Sequence, residues 1–486
     1  MTAGGKRGWS VHPLLSVEET YTDNVRLAPR GSERSDWVTA VRPGIAVNGV
    51  GARTRLTATY APQFIYRANE QSKDVFHFLD AIGKAELLQD LLFVDATAAI
   101  TQQNVSLLGP QAQSNISDTG NRTSVRTYSV SPYLRRDFGY QALGELRFTR
   151  STVSYSGNNL FSSDSNRIDA RLFSGPAYRL TTWNVAYNKE NISYDKTGQS
   201  VDIQSVSAGA RRLLTANFAV LGNVGYEDNN YVTVGPAPKG SFWSVGPEWN
   251  PTPRTHLAAT TGRRYFGPTH SLDFSHRTRL TTWHLEYRED ITTTRGQALI
   301  PATTDTASLL DSLFVSTIPD PIARQTAVQN YINQTGVPSS LTVPLNFVTI
   351  VPFLQKSWLG TFGILGVRNS VFTSVFAQTR EATAAGQAVS GDLALSPRTK
   401  QTGGSVLWTH RFTPQTSSSA SVGYTRSEFP ALAREDNLTY VRLALNKQFS
   451  PRLSGAVSFR RLQNESDQGG GSYRENAVSV VVSMRF

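Results

Sequence analysis

The chain ends in the stretch NAVSVVVSMRF, residues Asn476–Phe486, in which apolar residues alternate with mostly polar ones. One face of an extended chain would carry Val478, Val480, Val482, Met484 and Phe486. The opposite face would carry Ala477, Ser479, Val481, Ser483 and Arg485. A period of two predicts a β-strand with one apolar face. Because a long apolar edge at a chain end invites aggregation, we expect this strand to be paired on both sides.

The terminal phenylalanine adds a second expectation. Alternating apolar residues that end in a C-terminal Phe resemble the signal by which bacterial outer-membrane proteins are recognised for assembly. The residues that would form this assembly signal are Phe486, Met484, Val482, Val480 and Val478. A soluble edge strand at the end of the chain is the alternative interpretation.

The same alternation recurs along the chain, between two kinds of connection. Thr439–Phe449 is followed by a short Ser-Pro-Arg turn, and Pro251–Pro253 marks another short turn. Proline is tolerated there because a turn residue need not donate to the strand ladder. Longer polar connections lie between the hairpins, at residues 23–36, 106–122, 158–167, 384–398 and 467–475. This pattern predicts an all-β, up-and-down antiparallel transmembrane β-barrel with short periplasmic turns and long outer loops.

The string RLTTW occurs twice, at Arg179–Trp183 and at Arg279–Trp283. We expect Thr-Thr-Trp to form a short periplasmic turn in each copy. Trp183 and Trp283 would then begin the return strands at the membrane–water boundary, where an amphipathic ring is favoured. The spacing between the copies corresponds to about six strands of barrel length.

The strand-like segments number about 22, with a range of about 18 to 24, and an even number is typical of bacterial single-chain barrels. The barrel would occupy residues 9–486 as one domain, after a disordered end at residues 1–8. A barrel of this width cannot fill its interior with strand side chains alone. It must therefore hold water, a substrate or a plug.

Residues 297–347 depart from the strand pattern. Asp320 is a suitable N-cap and Pro321 suits the first helical position, so the segment that follows is predicted to be helical. Ile322, Val328 and Ile332 would form its apolar face. Since an insertion of this length is too long for an idle loop, we expect it to plug the lumen or cover the outer mouth as a gate. A disordered outer loop is the alternative.

Composition excludes several classes of protein. The 486 residues are 39% hydrophobic and contain no run of about 18 apolar residues, so a transmembrane helix is excluded. The chain has no cysteine, which rules out disulfides and thiolate metal sites. The net charge is +11, but the basic residues are not clustered, which argues against nucleic acid as a partner. The sequence has no G-x-S-x-G elbow, Walker A loop or H-E-x-x-H motif, so the leading prediction is not an enzyme and includes no metal site or cofactor.

Four double arginines stand out, at 135–136, 211–212, 263–264 and 460–461. Because neighbouring residues of a strand face opposite sides, one arginine of each pair should point into the lumen. The predicted inward residues are Arg135, Arg211, Arg263, Arg442, Arg460 and Arg485. They would either make the lumen basic and attract anionic solutes, or pair with Asp and Glu across the lumen and stabilise the barrel.

The N-terminal region, Ser16–Tyr60, contains the phrases ETYTDNVRLAP, SERSDWVT and RPGI. In these it resembles a family of outer-membrane β-barrels associated with the PEP-CTERM/exosortase system and encoded beside exopolysaccharide genes. The resemblance implies location in the outer membrane of a Gram-negative bacterium and a role in polysaccharide export, and it supplies no catalytic residue. The sequence lacks an apolar signal-peptide core, so we expect an export signal to have been removed.

Three functions are therefore open. The first is an outer-membrane pore for exopolysaccharide, in contact with membrane lipid, with the polysaccharide and with periplasmic export proteins. The second is a structural sheath or docking barrel for a periplasmic partner. The third is an outer-membrane enzyme with a site at the barrel rim.

Overall fold

The computed structural model describes residues 8–157, 160–195, 200–231, 233, 237–299, 310–311, 314, 318, 324, 327–328, 347–349, 352–383 and 391–486. These residues are arranged almost entirely in β-strands. The strands are β1 Gly8–Thr22, β2 Asp36–Val50, β3 Thr54–Tyr60, β4 Gln63–Arg67, β5 Ser72–Phe76, β6 Leu79–Leu88, β7 Leu92–Asn104, β8 Arg122–Asp137, β9 Ala142–Tyr155, β10 Ser163–Ser174, β11 Thr181–Tyr194 and β12 Ser200–Thr215. They continue with β13 Phe218–Asn229, β14 Lys239–Thr252, β15 Thr255–Arg264, β16 Gly267–Arg277, β17 Thr281–Thr292, β18 Phe353–Leu365, β19 Asn369–Ala382, β20 Arg398–Thr413, β21 Thr416–Phe429, β22 Arg434–Ser450, β23 Leu453–Ser466 and β24 Tyr473–Arg485.

The sheet closes on itself. β24 pairs with β1 in antiparallel register from Leu14 opposite Arg485 to Thr22 opposite Ala477. The C-terminal strand is thus paired on both sides, with β23 and with β1. Closure removes the free edges that an open sheet of this size would expose.

Two strands of the barrel are each divided into two segments. β3 and β4 both pair with β2, β3 also pairs with β6, and β4 pairs with β5, so these four segments form two strands of the barrel. The break falls at Ala61–Pro62, because proline cannot donate to the ladder. The result is a closed antiparallel barrel of 22 strands, as the alternation predicts.

Short turns gather at one end of the barrel, together with the start of β1 and the end of β24. Gly139 in the β8–β9 turn has φ of 69°, a conformation that costs little only for glycine. Most connections at the opposite end are longer, which agrees with the predicted alternation. Three are short, however, at Ala68–Gln71, Tyr265–Phe266 and Pro430–Ala433.

The repeated RLTTW string lies where we expect it along the barrel but not in the expected conformation. Thr181 and Thr281 are already the first residues of β11 and β17, so the turns precede Thr-Thr-Trp instead of containing it. Leu280 belongs to the turn Thr278–Leu280, in which the Thr278 hydroxyl accepts from the Leu280 and Thr281 amides. The two copies stand six strands apart, as their spacing predicts.

The outer face of the barrel is built for lipid. Val478, Val480, Val482 and Met484 share this face and are exposed, whereas Ala477 and Ser479 face inward and are buried. Phe486 follows β24, and its amide donates to the Pro13 carbonyl. Two rings of outward aromatic residues border the apolar belt, as is typical of membrane barrels. Trp9, Trp183, Trp249 and Trp283 lie at the short-turn end, and Tyr21, Trp37, Tyr66, Tyr226, Trp243, Trp358 and Tyr424 lie toward the opposite end.

Helices whose full extent is described are short and lie outside the sheet, α1 at Thr294–Leu299 and α2 at Asp392–Leu395, and a 3-10 turn is formed at Pro430–Leu432. In the described part of the chain, no helix is long and apolar enough to span a membrane.

Most of the predicted insertion at 297–347 lies outside the described residues, including Ile322 and Ile332. Of the predicted helix, Arg324, Ala327 and Val328 are described; they are helical, and Val328 is buried. Arg324 donates to the Asp311 carboxylate at 2.7 Å. At the N-terminus, residues 1–7 lie outside the described range, while Gly8 belongs to β1 and not to a disordered end.

Candidate functional site in the barrel lumen

Most of the arginines that point into the lumen form ion pairs with carboxylates. Arg211 Nε donates to Glu248 Oε2 at 2.7 Å, and Arg460 Nη2 donates to Glu475 Oε1 at 3.0 Å. Other inward pairs follow the same rule, among them Arg147 with Asp95, Arg167 with Asp169, Arg264 with Glu227 and Arg434 with Asp436. The lumen wall is therefore largely charge-balanced, and the arginines also fix neighbouring strands to one another.

Three of the predicted inward arginines have no such partner. Arg135 lies opposite Glu145 on the inward face, and Arg485 lies opposite Leu14, both near the short turns. Arg442 shares the inward face with Ala444 and is exposed to the lumen. Among the described residues, none of the three has a carboxylate within salt-bridge distance.

Arg263 is the exception to the predicted orientation. It lies opposite Trp243, whose side chain is on the outer face, so Arg263 points outward near the end of β15. Its neighbour Arg264 points inward and donates to Glu227 at 2.7 Å. The two-residue turn Tyr265–Phe266 sets which arginine of the pair faces the lumen, and the sequence alone does not locate that turn.

A basic seam, defined here as Arg42, Arg442 and Arg460, lies on the inner wall beside the closing β1–β24 pair. Arg442 and Arg460 are directly opposite each other in the register of β22 and β23. Like charges in this arrangement repel. Glu475 compensates Arg460, and the Arg42 guanidinium stacks 4.8 Å from the Phe78 ring centroid. Within the described wall, Glu18 of β1 interacts electrostatically with Arg42 and Arg442 but forms no salt bridge with either, so positive charge in the seam is only partly balanced.

The connection from β7 to β8 turns into the barrel. This mouth segment comprises residues 105–121, whereas the sequence predicts an outer loop at 106–122. The backbone N–H of Gln111 donates to Tyr473 Oη at 2.9 Å, and Arg460 Nη1 donates to Ser114 Oγ at 3.0 Å. On the other side of the closing pair, Arg67 Nε donates to the Ile116 carbonyl at 3.1 Å. The segment therefore crosses the inside of the mouth from β4 to β22–β24.

Apolar residues from several connections meet beside the mouth segment. This mouth cluster comprises Leu107, Phe347, Phe353, Leu393 and Phe429, all buried. They come from the β7–β8, β17–β18 and β19–β20 connections and from the ends of β18 and β21. Burial of such side chains contributes roughly 1.5–3 kcal/mol each. The cluster thus holds separate connections together inside the barrel.

Asp392 ties the mouth segment to the β19–β20 connection. Its carboxylate accepts from Ser106 Oγ and from the Leu107 amide, both at 2.6 Å. Burial raises the pKa of Asp392 above its ordinary value, although these two hydrogen bonds act in the opposite direction. The preceding residue, Gly391, has φ of 67°, and a Cβ there would lie 2.4 Å from the Val348 carbonyl oxygen.

The first residues after β17 also enter the lumen. Arg295 in α1 donates to the Ser163 carbonyl and hydroxyl at 2.7 Å each, on β10. It also bonds the carbonyl and hydroxyl of Ser151 on β9. β17 and β10 are seven strands apart, so this arginine reaches well away from its own strand. Burial lowers the pKa of Arg295, with nearby acidic groups opposing the effect.

The two sides of the inner wall differ in exposure. Inward residues of β19–β21 are buried along the strands, although they are small and polar; they include Ser370, Ser374, Ser405, Thr409, Ser417, Ser419, Ser421, Thr425 and Ser427. Inward residues of β10–β14 near the short turns remain partly exposed, as Asn184, Asn223 and Ser244 do. Open lumen surface is therefore found on the β10–β14 side.

That open surface contains a recess of about 510 Å³. Its inward-facing lining comprises Phe173, Thr182, Asn184, Ser207, Gly209, Arg211, Leu221, Asn223, Ser244 and Thr260. Residues of this kind bind a ligand by hydrogen bonding and by packing against Phe173. The sequence does not single out this group, because its members are brought together only by strand register. In the described part of the chain, no His, Asp and Glu side chains form a group suited to a metal ion.

Comparison with known proteins supports the fold. No protein-family model and no curated protein matches the sequence. Among solved structures, a ferric enterobactin receptor (PfeA) mutant from Pseudomonas aeruginosa is similar with a TM-score of 0.50 at 10% identity, over 99% of this chain and 81% of that one. The siderophore receptor PirA from Acinetobacter baumannii gives a TM-score of 0.50 at 9% identity, over 99% and 81%. The chain therefore has the fold of an outer-membrane β-barrel, and its lipid-facing belt places it in the outer membrane.

Proposed function

We propose that this barrel is an outer-membrane pore through which an exopolysaccharide leaves the cell. The observation that carries the proposal is the open, polar inner wall at β10–β14, inside a closed barrel of 22 strands. The resemblance of Ser16–Tyr60 to barrels of the PEP-CTERM/exosortase system supports the polymer as substrate. Charge balance along much of the wall supports a solute that need not be strongly ionic.

Passage would be passive. A wall of amide, hydroxyl and paired ionic groups offers many weak contacts to a hydroxylated chain, and weak repeated contacts allow release where one tight site would trap the polymer. The basic seam adds a local positive field, which would favour any carboxylate groups that the polymer carries.

The mouth segment would act as the gate. Its contacts with Tyr473, Arg460 and Arg67 hold it across the end of the lumen opposite the short turns. The described residues beside the 297–347 insertion also lie inside the barrel, because Arg295 bonds Ser163 and Ser151 of the inner wall and Phe347 belongs to the mouth cluster. Release of these contacts would widen the path.

Gene deletion in the host tests the substrate. We expect loss of surface polysaccharide with accumulation of the polymer in the periplasm, and recovery on expression of the full chain. Normal surface polysaccharide in the deletion strain would contradict the proposal. Loss of surface polymer without periplasmic accumulation would point to a role in synthesis instead of passage.

One observation favours a second candidate, a docking barrel for a periplasmic partner. β2 pairs with β1 over Gly8–Thr22, whereas β24 pairs with it only from Leu14 onward. Gly8–His12 thus presents a strand edge without a described neighbour, and such edges accept added strands. Recovery of a stoichiometric periplasmic protein with the wild-type barrel, but not with a variant lacking residues 8–12, would favour this function.

A further inference from the structure

We propose that the recess at β10–β15 is a binding subsite for a short run of neutral sugar residues. The inference deepens the proposed function, since the exported polymer would supply this ligand. Its test below measures binding directly and does not depend on transport.

The recess is organised around one row of cross-strand neighbours. In the strand register, Phe173 lies opposite Asn184, Asn184 opposite Gly209, Gly209 opposite Asn223, and Asn223 opposite Ser244. Five adjacent strands contribute one inward residue each. At about 4.8 Å between strands, the row extends for roughly 19 Å around the wall. A row of this length suits several linked sugar rings better than a single one.

Five polar side chains of the recess are not engaged by the described part of the protein. Among the described residues, no side-chain hydrogen bond is made by Thr182, Asn184, Ser207, Asn223 or Ser244. The adjoining wall behaves differently, because Asn188 Nδ2 donates to Ser205 Oγ at 2.6 Å, two inward positions along the same strands from the Asn184–Gly209 pair. Amides and hydroxyls that point into a cavity without protein partners are the groups that bind sugar hydroxyls in their place.

Gly209 leaves the middle of the row without a side chain. A Cβ at Gly209 would lie 2.6 Å from Asn184 Oδ1, so any side chain there would displace that amide. With glycine between them, Asn184 and Asn223 stand as two separate amides on either side of a gap. Phe173 forms the end of the row, and as a residue it is 39% exposed. It offers a flat apolar surface on which one face of a sugar ring can pack.

Charge argues for a neutral ligand. Arg211 is the cation in the lining, and Glu248 holds it through two hydrogen bonds of 2.7 and 2.9 Å. A charged group would have to compete with that bidentate pair. The less balanced charges of the basic seam lie on strands far from β10–β15. The recess therefore selects hydroxyl-rich, uncharged rings, while the seam is the place for anionic groups.

The location suits early capture of a polymer. Asn184 is the fourth residue of β11 from the short-turn end. An exported chain enters from that end, so it would meet the recess before it reaches the mouth segment. Loose binding there raises the local concentration of polymer in the lumen without closing the path.

The test is equilibrium dialysis of the purified full-length barrel in lauryldimethylamine oxide, a detergent without a sugar head group. The probes are maltohexaose as a neutral oligosaccharide and hexagalacturonate as an anionic one. The variant is Asn184→Ala combined with Asn223→Ala. The matched control is Asn48→Ala, an exposed inward asparagine near the short turns of β2.

We expect maltohexaose to bind the wild type and the control variant equally, and the double variant about tenfold more weakly, because each hydrogen bond is worth a factor of a few. The inference is overturned if maltohexaose does not bind the wild type, or if the control and the double variant lose maltohexaose affinity equally. It is also overturned if hexagalacturonate binds more strongly than maltohexaose and its binding depends on Asn184 and Asn223. Such results would leave the pore intact if gene deletion still abolishes surface polysaccharide. Retained maltohexaose binding with normal surface polysaccharide would contradict the pore and support the subsite.

Discussion

Arg442 and Arg460 face each other across β22 and β23 in the lumen, and only Arg460 has a carboxylate at hydrogen-bond distance. Facing like charges cost free energy, which a barrel can tolerate where water or a passing anion reaches them. Arg442 is the exposed member of the pair. The local field at this part of the wall therefore depends most on that one guanidinium.

Replacement of Arg442 with Gln should lower the preference of the pore for anions. The ratio of chloride to potassium permeability, from reversal potentials in planar bilayers under a salt gradient, should fall by about a factor of two. Arg461→Gln is the matched control, because Arg461 belongs to the same double arginine as Arg460 but faces outward. An equal change in both variants would show that the seam does not set selectivity.

The orientation of a single residue also decides its effect on stability. Val482 faces lipid opposite Val17 and Gly455, and Val481 faces the lumen opposite Glu18. Val482→Arg should destabilise the barrel by roughly 2–4 kcal/mol, the cost of arginine at the bilayer midplane. Val481→Arg should cost much less, since it can pair with Glu18. Urea unfolding in lipid vesicles measures both, and equal losses would contradict the assigned faces.

Alternation along a strand predicts such orientations from sequence, but only after the turns have been located. Val480 and Arg211 follow from the period of two within strands that the sequence clearly marks. Arg263 does not, because the hairpin at Tyr265–Phe266 is too short and too ordinary to be recognised. A shift of one residue there exchanges the faces of Arg263 and Arg264.

Strands and connections differ in how far the sequence determines them. The alternation and the short proline-containing turns are local, so they predict the strands and their number. The inward course of the mouth segment depends on Tyr473, Arg460 and Arg67, each far from it in sequence. The one local sign is the presence of Leu107, Ala112 and Ile116 within a polar loop, and all three are buried.

Gly391 allows the β19–β20 connection to approach the Val348 carbonyl closely. Gly391→Ala should cost roughly 1–2 kcal/mol for the positive φ, and additional free energy for the Cβ that would lie 2.4 Å from the Val348 carbonyl oxygen. The mouth cluster should loosen and the conductance of single channels should rise. Gly470→Ala is the control, because its φ is also positive but a Cβ there meets nothing within 4 Å. Equal conductance in the two variants would contradict the proposal that this contact restricts the channel.

The width of the barrel makes the mouth contacts decisive for function. Strand side chains cannot fill a lumen bounded by 22 strands, so its permeability is set by what folds into it. The mouth segment, the mouth cluster and Arg295 all lie inside, and they join connections far apart around the wall. Outward residues between the two aromatic rings are mostly apolar, and the Glu19 carboxylate on this face accepts a hydrogen bond from Thr39.

Removal of Leu107–Asp118 should therefore raise the single-channel conductance several-fold, since the deleted residues cross the mouth from Arg67 to Tyr473. Deletion of Gln468–Gly471, an exposed connection between β23 and β24, is the control and should leave conductance near the wild-type value. Folding of both variants is checked by the heat-resistant migration typical of barrels. If the first deletion folds but conducts no better than the control, the lumen is closed elsewhere, and the inward mouth segment serves stability instead of gating.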